Sequence, residues 1–282
     1  MPNPILNDKQ FEAAEAGWAA PQAPSPGGAV WAPPGQTGAP PIDDGPVSEW
    51  RPGAMTVRGS IIATAVLFVL LLASATAGWM ATEGATIGAD GQEQYQFPPV
   101  AFLGVIIGIG CVIGCYFKPR LARILGPIYA LAQGFFLGAI SKAYETFYDG
   151  IVLQAAGATI AVFGLMLLLY NTRIIKVTDR FRRNVIFATL GVMALYLVSI
   201  VMSLFGAEIP FINEPSAFGI AFSIFVCGLA AMNLALDFDF IERGSKAGLA
   251  KDYEWVAAVG LLVTIVWLYL EILRLLAKLR QN

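Results

Sequence analysis

The 282-residue sequence contains no histidine, and charged residues make up only 13% of it. Without histidine, the chain lacks the commonest metal ligand and the usual general base near neutral pH. A soluble domain carries roughly 25% charged residues, so the shortage of charge argues against a soluble enzyme. A formal net charge of −2 argues against nucleic acid as a partner. We therefore expect neither enzymatic activity nor a bound cofactor.

Cysteine is also scarce. Cys111, Cys115 and Cys227 all lie within apolar runs, and no disulfide framework is predicted. Cys111 and Cys115 are four residues apart, so they share one face of a helix. Small apolar packing is the favoured interpretation of this pair, and a metal pair is the alternative.

Apolar residues are abundant, at 57% of the chain. A helix that crosses about 30 Å of hydrocarbon needs roughly 20 residues, and no barrel-like alternation is visible. The sequence therefore predicts an all-α membrane protein, with a seven-helix transmembrane domain at residues 54–282. The predicted spans are 60–82, 98–117, 125–142, 150–170, 184–205, 217–240 and 255–277.

Residues 1–53 differ in composition from the rest of the chain. They hold 11 of the 17 prolines, interleaved with glycine, alanine and glutamine. Such a composition favours neither a helix nor a strand, so we predict a disordered cytoplasmic tail. The tail either solubilises the protein or presents Pro-rich pieces to a partner.

Basic residues are concentrated in alternate loops. They precede the first span and follow the second, fourth and sixth, and Lys142 is the only base in the other loops. By the positive-inside rule, the N-terminus and the basic loops are cytoplasmic. Seven spans place Arg274, Lys278 and Arg280 outside, against this rule. Late charges are weak determinants of topology, and a re-entrant last helix is the alternative.

Two carboxylates lie at the end of the sixth span, in ALDFDFIERG. If the helix continues to Arg243, Asp237 lies about 9 Å deeper than that base, at a depth where ionisable groups are usually functional. Asp239 points roughly 200° away from Asp237, so we expect one to face the bundle and the other to face elsewhere. The alternative is a helix end that leaves both in water.

Three other charged residues are candidates. Glu271 precedes Arg274 by three residues, which favours a local ion pair. Arg120 and Arg123 begin the third span, where they either anchor the helix or reach a buried carboxylate. Arg123 is the better candidate for a contact with Asp237.

Glycines recur at four-residue spacing in the second and third spans. Such pairs let helices approach closely, and plain packing is their main interpretation. The pairs are Gly104/Gly108, Gly110/Gly114 and Gly134/Gly138.

Three stretches resemble the Bax inhibitor family, also called the transmembrane BAX inhibitor motif family, which has prokaryotic members. They are LDFDFIERG (236–244) followed by KDYEW (251–255), GLLVTIVWLYLEILRLL (260–276) and LGPIYALAQGFFLGAIS (125–141). The resemblance covers residues 55–280 and implies seven helices, with the last surrounded by the other six. It also implies a plasma (inner) membrane location. Some bacterial members conduct Ca²⁺ as a slow, pH-sensitive leak, in which two aspartates share a proton and an arginine latches to them.

The resemblance assigns the first of these aspartates to Asp237 and the arginine to Arg120 or Arg123. The second aspartate falls on Thr264, which cannot ionise, although its hydroxyl could hydrogen-bond to a carboxylate. Ca²⁺ near Asp237 is the candidate metal site, since carboxylates suit a hard cation. Asp239 and Glu271 are further candidates for the ion path.

Two functions are compatible with the sequence. The first is a pH-sensitive cation leak channel, with Ca²⁺ as the ion that the resemblance implies. The second is a non-transporting regulatory protein that binds another membrane protein, such as a membrane protease. The expected partners are therefore the lipid bilayer, Ca²⁺ and another membrane protein, and not nucleic acid.

Overall fold

A computed structural model describes residues 53–82, 86–87, 93–94, 99–206 and 214–281, so nearly all of the predicted tail lies outside the described residues. Seven α-helices occupy these ranges: α1 (Val57–Ala81), α2 (Pro99–Phe117), α3 (Ala122–Phe147), α4 (Ile151–Asn171), α5 (Asp179–Leu204), α6 (Ala217–Ala247) and α7 (Tyr253–Gln281). A short 3₁₀ turn, Pro119–Leu121, precedes α3. Two-residue strands, β1 (Thr86–Ile87) and β2 (Glu93–Gln94), pair antiparallel between α1 and α2.

Each predicted apolar run forms a helix, as the hydropathy pattern indicates. Six of the helices are long and apolar enough to cross a membrane, which makes the chain a multi-pass membrane protein. The exception is α2, whose apolar part is Ala101–Phe117, somewhat shorter than the roughly 20 residues that a crossing needs. Helix α6 extends to Ala247, well beyond the predicted end of its span at residue 240.

Local signals set several helix ends. Thr56, Thr178 and Ser216 precede α1, α5 and α6, and each side-chain oxygen accepts a hydrogen bond from an N–H of the first turn. Gly248 caps the end of α6 with a φ of 68°, a conformation that glycine adopts at little cost. The turn into α4 is held by Glu145, whose carboxylate accepts hydrogen bonds from the N–H groups of Gly150 and Val152.

One end of the bundle gathers the start of α1 and the α6–α7 turn. The Met55 N–H donates to the Leu249 carbonyl at 2.6 Å, and the Lys251 N–H donates to the Gly53 carbonyl at 2.7 Å. Glu254, in the first turn of α7, accepts from both the N–H and the hydroxyl of Thr56. We call this the base-rich end, because the basic α2–α3, α4–α5 and α6–α7 connections belong to it.

The C-terminal bases lie at the opposite end. The Lys278 Nζ donates to the Ser223 hydroxyl at 2.9 Å and to the Gly219 carbonyl at 3.1 Å. The Arg280 guanidinium donates to the Asp149 carbonyl at 2.7 Å. The end of α7 therefore meets the α3–α4 turn and the start of α6. This arrangement supplies partners for the charges that conflict with the positive-inside rule.

Helix α7 is the most buried of the six long apolar helices. It packs against α1, α3, α4 and α6, and its leucine, valine and alanine side chains form much of the core. Helix α5 is the least buried and packs mainly on α6. Its apolar contact with α6 is a separate small cluster of Val185, Val192, Val226 and Leu229.

Glycine sets the distance between α1 and α3, which form the most extensive helix pair of the described residues. A Cβ at Gly134 or Gly138 would press on the backbone of α1, at Leu71 and Ala75 respectively. A Cβ at Gly104 of α2 would press on the Ala132 backbone of α3. The predicted packing role is confirmed at these positions. It is wrong for Gly110, where a Cβ would meet nothing within 4 Å.

Candidate functional site

Two buried carboxylates lie in the last third of α6. Asp237 is 2% exposed and Asp239 is 8% exposed, so the alternative of a helix end that leaves both in water is wrong. The expectation that one of them faces away from the bundle is also wrong. Helix α6 is covered by α4 and α7 and also by α5, so residues on both of its sides are enclosed.

Asp239 binds two arginines. Its Oδ2 lies 3.0 Å from Arg182 Nη2 of α5 and 2.8 Å from Arg243 Nε, one turn further along α6. The Arg182 side chain is only 14% exposed and also lies 3.8 Å from the exposed Asp179. The Arg182 contact is a charge-assisted hydrogen bond, which is strong when water is excluded. It joins the start of α5 to the end of α6, whereas the Arg243 contact is an ion pair within α6.

Glu242 makes a second set of contacts at the same end. It accepts a hydrogen bond from the Tyr170 hydroxyl of α4 and pairs with Lys246 on its own helix. The Arg173 guanidinium, in the α4–α5 connection, lies 3.0 Å from the same carboxylate. Asp239 and Glu242 together hold the connection between α4 and α5 against the end of α6.

The predicted partner of Asp237 is corrected by the structure. Arg123 pairs with Asp252, with 3.1 Å between Nε and Oδ1, and so joins the start of α3 to the α6–α7 turn. This pair lies at the partly exposed rim of the bundle, outside the buried part of α6. Arg120 forms no ion pair with any residue in the described ranges. Arg123 thus stabilises the rim of the bundle, because its ionic partner is Asp252 in the α6–α7 turn.

Thr264 is buried, but its hydroxyl does not reach across to α6. It donates to the Gly260 carbonyl one turn earlier in α7, at 3.3 Å. Such a bond to the preceding turn is a common choice for threonine within a helix. The position that the resemblance assigns to a second aspartate therefore carries a neutral group that bonds to its own helix.

Glu271 belongs to a separate cluster. The predicted ion pair with Arg274 is confirmed, at 3.1 Å. The same carboxylate also accepts hydrogen bonds from the Tyr196 hydroxyl at 2.9 Å and from the Trp267 indole at 3.2 Å. Tyr196 lies fourteen residues beyond Arg182 on α5, which corresponds to about 21 Å along the helix axis. Glu271 is therefore remote from the Asp239 cluster.

Polar side chains on α5 belong to the candidate site but are not among the residues predicted from the sequence. Arg182 bonds to Asp239, Thr189 accepts a hydrogen bond from Asn233 at 2.9 Å, and Tyr196 bonds to Glu271. The three α5 residues are spaced by seven, so they share one face of the helix. That spacing is the signal that could have found them. By charge alone, Arg182 is one of several bases in a loop.

The described residues contain no cluster of three or more histidine, cysteine, aspartate or glutamate side chains that could hold a metal ion. A Ca²⁺ ion takes six to eight oxygen ligands, so Ca²⁺ near Asp237 stays a prediction. Cys111 and Cys115 are both buried free thiols. Their burial agrees with the packing interpretation.

Comparison with known proteins yields one match. A model of a family described as Bax inhibitor 1 like matches residues 3–281, which is nearly the whole chain. No curated protein and no solved structure matches.

Proposed function

Because this chain belongs to the Bax inhibitor 1 like family, we propose that it is a slow, pH-sensitive cation leak of the plasma (inner) membrane, with Ca²⁺ as the ion. The observation that carries the proposal is the pair of buried carboxylates on α6, one of which is held by Arg182 of α5. No catalytic step is part of this function.

Burial of acidic groups within a membrane span is unfavourable. A charged side chain at mid-membrane costs about 2.5–3.5 kcal/mol on insertion scales, and such residues usually line a pathway or pair with one another. Asp237 and Asp239 supply the oxygen ligands that a hard cation prefers. Arg182 and Arg243 occupy the Asp239 carboxylate in this structure, so we assign the structure to a closed state.

The same cluster gives a route to opening. The Arg182 contact with Asp239 joins the start of α5 to the end of α6, so its loss would loosen the base-rich end. The chain has no histidine, so we expect the pH response of the proposed leak to depend on carboxylates.

The topology is part of the proposal. We infer seven crossings, with the tail and the base-rich end in the cytoplasm and α7 at the centre of the bundle. The basic loops support this orientation. The contacts of Lys278 and Arg280 at the opposite end support an outer C-terminus, because they place the two ends of α7 at different ends of the bundle.

The test is a Ca²⁺ flux assay with purified protein in liposomes. Arg182→Gln removes the α5 side of the latch and should raise flux several-fold over wild type. Arg173→Gln is the matched control, because it removes an arginine from the neighbouring carboxylate, Glu242, where the arginine side chain is 69% exposed. Equal flux for wild type and both variants would refute the latch.

One observation favours the alternative, a regulatory protein that binds another membrane protein such as a membrane protease. Thr264 stands where the resemblance expects a second aspartate, and its hydroxyl is directed to Gly260. Wild-type flux no greater than that of empty liposomes, at both about pH 6 and about pH 8, would favour this alternative over a leak.

A further inference from the structure

We propose that Lys176 of the α4–α5 connection, with Arg180 and Arg183 at the start of α5, binds the phosphate of an anionic phospholipid in the leaflet on the base-rich side. The proposal concerns a different surface from the Asp239 cluster. It does not depend on ion conduction.

The first observation is a difference between the bases of this segment. Arg173 and Arg182 are engaged by Glu242 and Asp239. Lys176, Arg180 and Arg183 are all exposed, and none forms an ion pair with a residue that the structure describes. The segment from residue 172 to residue 184 contains one acid, Asp179, which is fully exposed and lies 3.8 Å from Arg182. Three positive charges are thus left to face the membrane surface.

The second observation is the face of α5 on which Arg183 lies. Phe187, Leu190 and Leu197 follow it at four, seven and fourteen residues, and all three are exposed apolar side chains. Residues at these spacings form one stripe along a helix. Phe187 and Leu197 are ten residues apart, or about 15 Å along the axis, which is the thickness of one leaflet of a bilayer whose hydrocarbon core is about 30 Å.

The stripe and the bases match the two parts of a phospholipid. An acyl chain can lie along the apolar stripe while the phosphate meets the arginines above it. Arginine presents a planar fork of donors that suits phosphate oxygens. The opposite face of α5 carries Val185, Thr189 and Val192, which are buried against the bundle, so the lipid-facing side of the helix is defined.

Charge selects an anionic lipid over a zwitterionic one. A phosphatidylcholine headgroup carries a quaternary ammonium beside its phosphate, and three nearby cations disfavour it. A phosphatidylglycerol headgroup carries only the negative charge. Juxtamembrane bases are known to attract anionic lipids in this way. A lipid bound here would also hold α5, the least buried long helix, in place.

The experiment measures binding and thermal stability of the full chain in a mild detergent. Phosphatidylglycerol is titrated against phosphatidylcholine and against inorganic phosphate, and the melting temperature is followed. The test variant is Lys176→Gln/Arg180→Gln/Arg183→Gln. The matched control is Arg58→Gln/Lys118→Gln/Arg120→Gln, which removes three exposed bases from the same end but from α1 and the α2–α3 connection.

Phosphatidylglycerol should raise the melting temperature of wild type and of the control triple variant by several degrees. The test triple variant should need at least about tenfold more of this lipid for the same shift. An equal loss in both variants would show a diffuse surface charge and overturn the site. An equal shift with inorganic phosphate would show a free-anion site instead.

The acidic tail is the competing occupant of these bases. It carries Asp43, Asp44 and Glu49 close to the start of α1. If the lipid shifts the melting temperature only after residues 1–50 are deleted, the tail occupies the bases in the full chain, and the lipid site is refuted.

Discussion

Replacement of Gly138 by alanine tests the backbone contact between α1 and α3. An ideal Cβ at this position would lie 2.7 Å from the carbonyl carbon of Ala75 and 2.9 Å from its Cα. Non-bonded carbon atoms prefer a separation of about 3.5–4.0 Å. The carbonyl oxygen of Ala75 lies closer still, so the two helices must move apart by at least about 0.8 Å at this point. The contact is with backbone, so no side-chain rotation can relieve it.

The magnitude follows from two opposing effects. Alanine in a helix interior is favoured over glycine by about 0.8–1.0 kcal/mol. Overpacking of a well-packed interior costs about 1–3 kcal/mol, and occasionally more. Because Gly134 makes a similar contact one turn away, local movement at Gly138 alone gives little relief, and we take the upper value. The expected net loss for Gly138→Ala is about 2 kcal/mol.

Gly110→Ala is the matched control, since a Cβ there meets nothing within 4 Å. Only the propensity effect remains, so this variant should gain about 0.8–1.0 kcal/mol. Reversible unfolding in mixed detergent micelles, followed by circular dichroism, measures both changes. The predicted sign differs between the two variants. Gly138→Ala at or above wild-type stability would refute the close approach of α1 and α3.

Three further outcomes are expected. Arg274→Gln leaves the buried Glu271 without its cation, so the free energy of unfolding should fall by about 3 kcal/mol. No loss would show that Tyr196 and solvent are enough to stabilise the Glu271 carboxylate. Glu254→Gln weakens the acceptor for Thr56 and should cost about 1–2 kcal/mol, measured by the same unfolding assay. A single cysteine at position 178, in a chain without its native cysteines, should resist an impermeant thiol reagent added outside intact cells. Labelling from outside would reverse the proposed topology.

The helices could be predicted because a membrane span requires a long apolar run, which is easily recognised in a sequence. An apolar run of about 20 residues is typical of a helix that crosses a bilayer, and each run proved to be a helix. The ends were predicted less well. Helix α6 continues past Asp239 to Ala247, since Arg243 and Lys246 make helical contacts with acids one turn earlier. A span predicted from hydropathy alone ends at the first charged residues, so it is shorter than the helix itself.

The partners of the acids could not be predicted from the sequence. The ion pair of Glu271 with Arg274 is local, so its spacing was sufficient. Whether Arg123 or Arg182 pairs with an α6 aspartate depends on which helix lies beside the end of α6, and this is a property of the tertiary packing. The positive-inside rule places both arginines at the base-rich end. Only the fold places Arg182 on Asp239 and Arg123 on Asp252.

The bundle has two kinds of helix contact, and they predict where it opens. Helices α1 and α3 meet at backbone distance through Gly134 and Gly138, with no ionisable side chain at those contacts. Helix α5 is attached by a small apolar cluster and by side-chain bonds to Asp239, Asn233 and Glu271.

A single substitution can remove one of those three bonds, because each is made by one side chain of α5, whereas the same substitution has no direct effect on the α1–α3 contact. Water can also replace a lost side-chain bond more easily than it can fill a gap between closely packed backbones. We therefore expect hydrogen exchange in α5 to be faster in Arg182→Gln than in wild type at the same pH, while exchange in α3 stays unchanged. Faster exchange in α3 than in α5 of this variant would show that the bundle opens on its glycine side, and Arg182 would then not be the latch.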